Sequence, residues 1–163
     1  MAQLDKLCEF CDATSVAAAA GTTLIGSQIP LGNSRDPGNG RPVYLNITCD
    51  VAIITGGTAG LIQFKLASDS TAVISATTST IHLITPNLVT DDTGTYSVGG
   101  TTGVQAAIGD ILFSGPIPVD GQNPYELFLG LLLVVTTTTI TAGSISAWLG
   151  FHPLGGRIYP NAI

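Results

Sequence analysis

The sequence predicts an all-β domain folded as a β-sandwich, and three observations predict it. Threonine and glycine number 21 and 20 of the 163 residues; β-branched Thr favours the pleated strand and Gly favours turns and bulges. Seven or eight runs read as strands, at spacings of roughly 8–20 residues and separated by Gly, Pro, Asn and Asp clusters. No stretch after residue 16 carries the apolar period of a helix, so the crossover helices of a parallel α/β sheet are missing. The length is that of one domain, divided as an N-terminal arm over residues 1–20, a sandwich over 21–150 and a C-terminal tail over 151–163.

The arm is the one place for a short helix, because Leu4, Leu7, Cys8 and Cys11 stand at i, i+3, i+4 and i+7. Residues 22–31 form an extended stretch that runs into a Gly-, Asn- and Pro-rich loop over 32–40. Next comes the cleanest alternation in the chain. Val43, Leu45, Ile47, Cys49 and Val51 share one face, and Tyr44, Asn46, Thr48 and Asp50 share the other. The glycines of residues 56–60 predict a hairpin turn, after which Ile62, Phe64 and Leu66 point inward and Gln63 and Lys65 outward. A strand over 79–85 is halted by Pro86, residues 91–103 read as a polar Gly-rich loop, and 104–108 and 111–113 read as short strands. Pro116 and Pro118 bracket Ile117, which fits an edge or a connector.

Residues 127–156 contain no charge, and 127–135 are apolar apart from Gly130. A membrane helix is the competing reading of this segment, but the apolar run gives way to Thr136–Thr139, and no Lys or Arg cluster flanks it. Two strands, 125–137 and 139–149, fit better; in the second, Ile145, Ala147 and Leu149 alternate. The tail beyond Gly150 is apolar without alternation, which suggests a segment that docks on a neighbouring surface.

Charge narrows the function. Only 10% of residues are charged, against about 25% in typical domains. The net charge is −6, and the five cations Lys6, Arg35, Arg41, Lys65 and Arg157 are scattered. Such a chain has little with which to neutralise nucleic-acid phosphates or an anionic membrane, so neither is expected as a partner. So sparse a charge also implies a surface of neutral polar groups or one covered by other chains. Three cysteines cannot all pair within a molecule, and the N-terminus shows no secretory signal; synthesis in a reducing cytosol is expected.

Catalytic and metal chemistry finds little support. Cys8 and Cys11 form a CxxC without the βαβ context of a redox site or a second ligand pair for zinc, and Cys49, His82 and His152 are isolated. Neither histidine has an acid or nucleophile nearby in sequence, Asp91-Asp92 lacks calcium-loop spacing, and the glycines of 56–60 lack the Lys-Ser/Thr of a phosphate loop. No enzyme activity, cofactor or metal is expected. In the 32–40 loop, Arg35 and Asp36 either close the turn internally or reach a partner.

An ordered set of short patterns adds a family. Leu4-Asp5, Phe10-Cys11-Asp12-Ala13, Arg35-Asp36-Pro37-Gly38-Asn39-Gly40, Phe64-Lys65-Leu66, Pro116-Ile117-Pro118, Tyr125-Glu126-Leu127 and Thr141-Ala142-Gly143 resemble, in order, the phage capsid cement proteins of the Bbp16-like family. The likeness runs from about residue 4 to 149, and the tail lies beyond it. The resemblance implies a jelly-roll-like β-sandwich on the outer surface of a tailed-phage capsid. It implies self-association as a homo-oligomer, a dimer or trimer at symmetry axes, and a grip on the major capsid protein. The residues expected to touch partners are Leu4, Leu7 and Phe10 in the arm, Arg35 and Asp36 in the loop, and Phe151, Leu154, Arg157, Ile158 and Tyr159 in the tail. The alternative is a surface module that offers Tyr44, Tyr96 or Trp148 to a host glycan.

Overall fold

The computed structural model describes residues 6–32, 37–38, 40–56, 60–90, 96–98, 101–102, 110–118 and 124–154. Eleven strands run in order through it: β1 (Glu9–Ser15), β2 (Gly21–Pro30), β3 (Tyr44–Thr55), β4 (Gly60–Asp69), β5 (Thr80–Ile84), β6 (Leu88–Thr90), β7 (Tyr96–Val98), β8 (Thr101–Thr102), β9 (Asp110–Pro116), β10 (Phe128–Thr136) and β11 (Ile140–Gly150). All pairings are antiparallel. One sheet has four strands in the order β1-β11-β3-β9; the other runs β2-β10-β4-β6-β7-β8, with β5 also on β4. Because β5 pairs with the Lys65–Ser68 portion of β4 and β6 with its Gly60–Ile62 portion, this second sheet is four strands wide through the core, and β7 and β8 extend it. The chain crosses between sheets from β1 through to β4 and again from β9 to β11, which is the winding of a jelly roll.

The core lies between the inner faces. Leu45, Ile47, Cys49, Ile145 and Ala147 from the first sheet meet Ile62, Phe64, Leu66, Leu129, Leu131 and Leu133 from the second, all buried. The inward phases expected for β4 and β11 hold. In β3 they hold through Cys49, but Val51 is exposed, since β9 stops pairing at Cys49 and bulges shift the β11 register beside it. At the same end Thr90 Oγ1 donates to Ile53 O at 2.7 Å, a buried polar tie between the sheets. The hairpin expected at residues 56–60 is corrected, because β3 and β4 belong to opposite sheets.

Strand β10 explains the long apolar run. Leu129, Leu131, Leu133 and Val135 face the main core, while Leu132 faces outward into a second cluster with Ala67 and Ile74. Ile74 comes from the excursion between β4 and β5, which folds over the outer face of the second sheet. Gly130 admits it, since a Cβ there would stand 2.6 Å from Ile74 Cγ1. Asp69 holds the excursion by accepting from the Thr71 and Ser75 N–H groups at 3.1 and 3.3 Å. Both faces of β10 are therefore covered by protein, which accounts for its composition without lipid. No helix among the described residues is long and apolar enough to cross a membrane.

The N-terminal helix is a correction. Residues Lys6–Cys8 make a single 3₁₀ turn, and from Glu9 the chain is strand β1, paired with β11. Bulges between Glu9 and Cys11 and between Cys11 and Thr14, with Ala13 at φ 43°, let consecutive Phe10 and Cys11 both turn inward. Burial of Phe10 in the sandwich outweighs a helix of at most three turns. The residue 91–103 loop also carries the short strands β7 and β8. The strand expected over 104–108 lies outside the described residues.

Candidate partner-binding surface

The residues expected to touch partners part company in the structure. Leu7, on the 3₁₀ turn, is 71% exposed. Phe10 is 1% exposed and belongs to the chain's own core, so it is corrected from partner contact to core residue. Its carbonyl is backed by Gly26 of β2, where a Cβ would collide with it and where φ is +69°. Phe151 is 59% exposed. Leu4, Arg35, Asp36, Arg157, Ile158 and Tyr159 lie outside the described residues.

Leu154 is held in a way that sequence reasoning missed. The strand alternation placed Asn46 outward on β3, yet it is 1% exposed, because the chain after β11 turns back over it. Asn46 Nδ2 donates to the carbonyl of His152 at 3.3 Å. The Leu154 N–H reaches Asn46 Oδ1 at 3.3 Å and Ser114 Oγ at 2.8 Å. Ser114 in turn donates to Asn46 Oδ1 at 2.7 Å. One buried amide, steadied by a hydroxyl from β9, thus reads a carbonyl and an N–H two residues apart, as a neighbouring strand would. The only signal in the sequence is an amide in a strand otherwise flanked by Leu and Ile.

Beside this clamp lies the outer face of the first sheet. Strand register sets Trp148, Asn46 and Ser114 in one row, Ser146, Thr48 and Ile111 in the next, and Gly150, Tyr44 and Pro116 at the tail end. A groove of about 390 Å³ runs along it, lined by Glu9, Asp12, Thr48, Asp50, Ser146 and Trp148 among others. Ser146 Oγ lies 2.8 Å from Asp50 Oδ2 and 3.3 Å from Asp12 Oδ1 while accepting from the Ala13 N–H at 2.9 Å. A hydroxyl has one proton, so it satisfies one of these carboxylates at a time, and the margin of the face stays anionic.

Among the described residues, Cys11, Cys49 and Ser68 are turned inward. Cys11 and Cys49 are free thiols whose pKa values burial pushes up to about 11, with Asp50 adding to both shifts. Such thiols are poor nucleophiles and ligands at neutral pH. Among the described residues no group of three His, Cys, Asp or Glu side chains comes together to hold a metal. Ser68 Oγ and His82 Nε2 stand 2.7 Å apart, a pairing that nucleophilic sites use. Here Ser68 is fully buried and accepts from the Glu126 N–H at 3.1 Å. His82 stacks on Tyr125, with ring centroids 4.1 Å apart. The pair ties the connection before β10 to β4 and β5. Comparison of the chain with protein-family models and with curated proteins finds no match.

Proposed function

We propose that this chain is a structural capsid cement, or decoration, protein that self-associates on the outside of a tailed-phage head and clamps neighbouring major capsid subunits. The observation that carries the reading is the jelly-roll strand order, an architecture of viral capsid and lectin domains, built here from a chain with only 10% charged residues. The ordered motif likeness supports it, as do apolar Leu7 and Phe151, exposed at opposite ends of the described chain. The action is adhesive. Interfaces of standard size bury about 1,600 Å² in total, and contacts of modest strength become effectively permanent when each oligomer holds the shell at two or three points. Neutral contacts avoid desolvating ion pairs, and a net charge of −6 suits the exterior of a DNA container. The protein is made in the host bacterial cytoplasm and works on the capsid surface.

Co-sedimentation with phage heads tests the reading: stoichiometric binding of the added protein is expected, and its absence at micromolar concentration contradicts it. The second reading, glycan attachment, draws on the groove that places Trp148 beside Asp12 and Asp50, since sugars bind to an aromatic face flanked by carboxylates. A glycan array without hits on the soluble protein removes it.

A further inference from the structure

Residues 124–127 lead into β10, and one of the side chains that hold them titrates near neutral pH. We propose that His82 is an acid-released latch on this segment: at neutral pH its ring closes over Ser68 and Tyr125, and on protonation it leaves them and lets residues 124–127 open before the rest of the fold. The inference stands apart from the cement reading and goes beyond it.

Three observations carry it. The first is the convergence on Ser68. This hydroxyl is fully buried, accepts from the Glu126 N–H at 3.1 Å and stands 2.7 Å from His82 Nε2, its one acceptor among the described residues. A neutral ring can accept there, but a charged ring carries a hydrogen on both nitrogens and cannot. Protonation therefore leaves the Ser68 proton without an acceptor in a buried site, and departure of the ring, which admits water, relieves it. The second is what the ring covers. His82 stacks on Tyr125, whose hydroxyl donates to Pro118 O at 2.7 Å, and Tyr125 is buried while His82 is half-buried, with part of its surface already in water. The third is charge. Glu126 is the charge that acts on the ring, its Oε1 held by Thr80 Oγ1 of β5 at 2.8 Å. From β4, Ser68 faces the ring, whereas Lys65 and Asp69 alternate onto the opposite side, where Thr71 and Ser75 hold Asp69. Burial outweighs the attraction of Glu126, so the closed latch favours the neutral ring.

The test is amide hydrogen exchange on the full-length chain, read by NMR from about pH 7.5 to about 5 as protection relative to the unfolded rate. The Glu126 amide reports the latch. The Phe64 amide, which donates to Thr85 Oγ1 at 3.0 Å within the same sheet, is the reference for global opening. Protection of Glu126 is expected to fall about tenfold or more relative to that of Phe64 as the His82 ring titrates, with a midpoint below 6.5 in its own ring-proton shifts. In His82→Gln, which keeps an acceptor and does not titrate, the ratio is expected to stay within about twofold across the range. The proposal is overturned if the two amides lose protection in step, which is global unfolding, if Glu126 protection is unchanged while the ring titrates, or if the ring stays neutral throughout. A fall of equal size in folded His82→Gln also overturns it. Should that variant not fold, the wild-type readouts decide alone. None of these results touches shell binding, so the cement reading stands or falls separately.

Discussion

At the scale of single residues, the structure is held by polar groups whose partners are far away in the chain. Asn46 binds backbone groups 106 and 108 positions later. Removing residues 151–163 strips both from a buried amide, whereas removing only 155–163 keeps them. The longer truncation opens Asn46 to water and is expected to be less stable than the shorter by about 1–2 kcal/mol, the net worth of the hydrogen bonds lost, as read from urea denaturation of the two. His82 supplies a pH dependence. Burial lowers its pKa below the ordinary 6.5, against the opposing charge of Glu126. The folded state therefore prefers neutral imidazole, whose Nε2 stands 2.7 Å from the Ser68 hydroxyl. The unfolded chain takes up the proton first as pH falls, so the contribution of His82 is complete above pH 6.5 and is lost as pH drops through the lower folded value. The midpoint of thermal unfolding is expected to fall more between about pH 7 and 5 in the wild type than in His82→Gln. Asp69, whose pKa its hydrogen bonds from Thr71 and Ser75 lower, acts in the same sense: its contribution is complete above the ordinary carboxylate value of 3.8 and is lost as pH falls below it.

At the scale of elements, what could be read from the sequence depended on how regular each strand is. Strand β4 keeps its period of two, so Ile62, Phe64 and Leu66 were legible as core residues. Strand β11 was legible in its second half, at Ile145, Ala147 and Leu149, and not in its first, where Gly143 at φ 130° sits among three register shifts. Strand β1 was not legible at all. Two bulges within seven residues erase its alternation and leave a spurious helical spacing of Leu4, Leu7, Cys8 and Cys11. The site was less legible than the fold, because an amide in a strand carries no mark of a partner more than a hundred residues away, and Ser68 carries none of Glu126, 58 residues on. The N-terminus gives a direct consequence. Deleting residues 1–5 leaves β1 whole, whereas deleting 1–12 removes Phe10 and half of an edge strand. The longer deletion is expected to lose about 3–5 kcal/mol, the range for emptying a buried Phe site, and circular dichroism melts of both chains measure the difference.

At the scale of the whole molecule, the two sheets differ in what lies on their outer faces. The excursion between β4 and β5 packs Ile74 on part of one, and the other carries the clamped start of the tail. On the function proposed above, many copies would brace a shell whose subunits each need support only at their boundaries. The property that distinguishes a cement from a passive coat is mechanical. The decisive measurement is therefore the temperature at which phage heads rupture, recorded by calorimetry with the chain absent and at saturation. The account predicts that saturation raises the rupture temperature by several degrees, through binding to the intact shell and not to its dissociated subunits. An unchanged rupture temperature on fully occupied heads would contradict it.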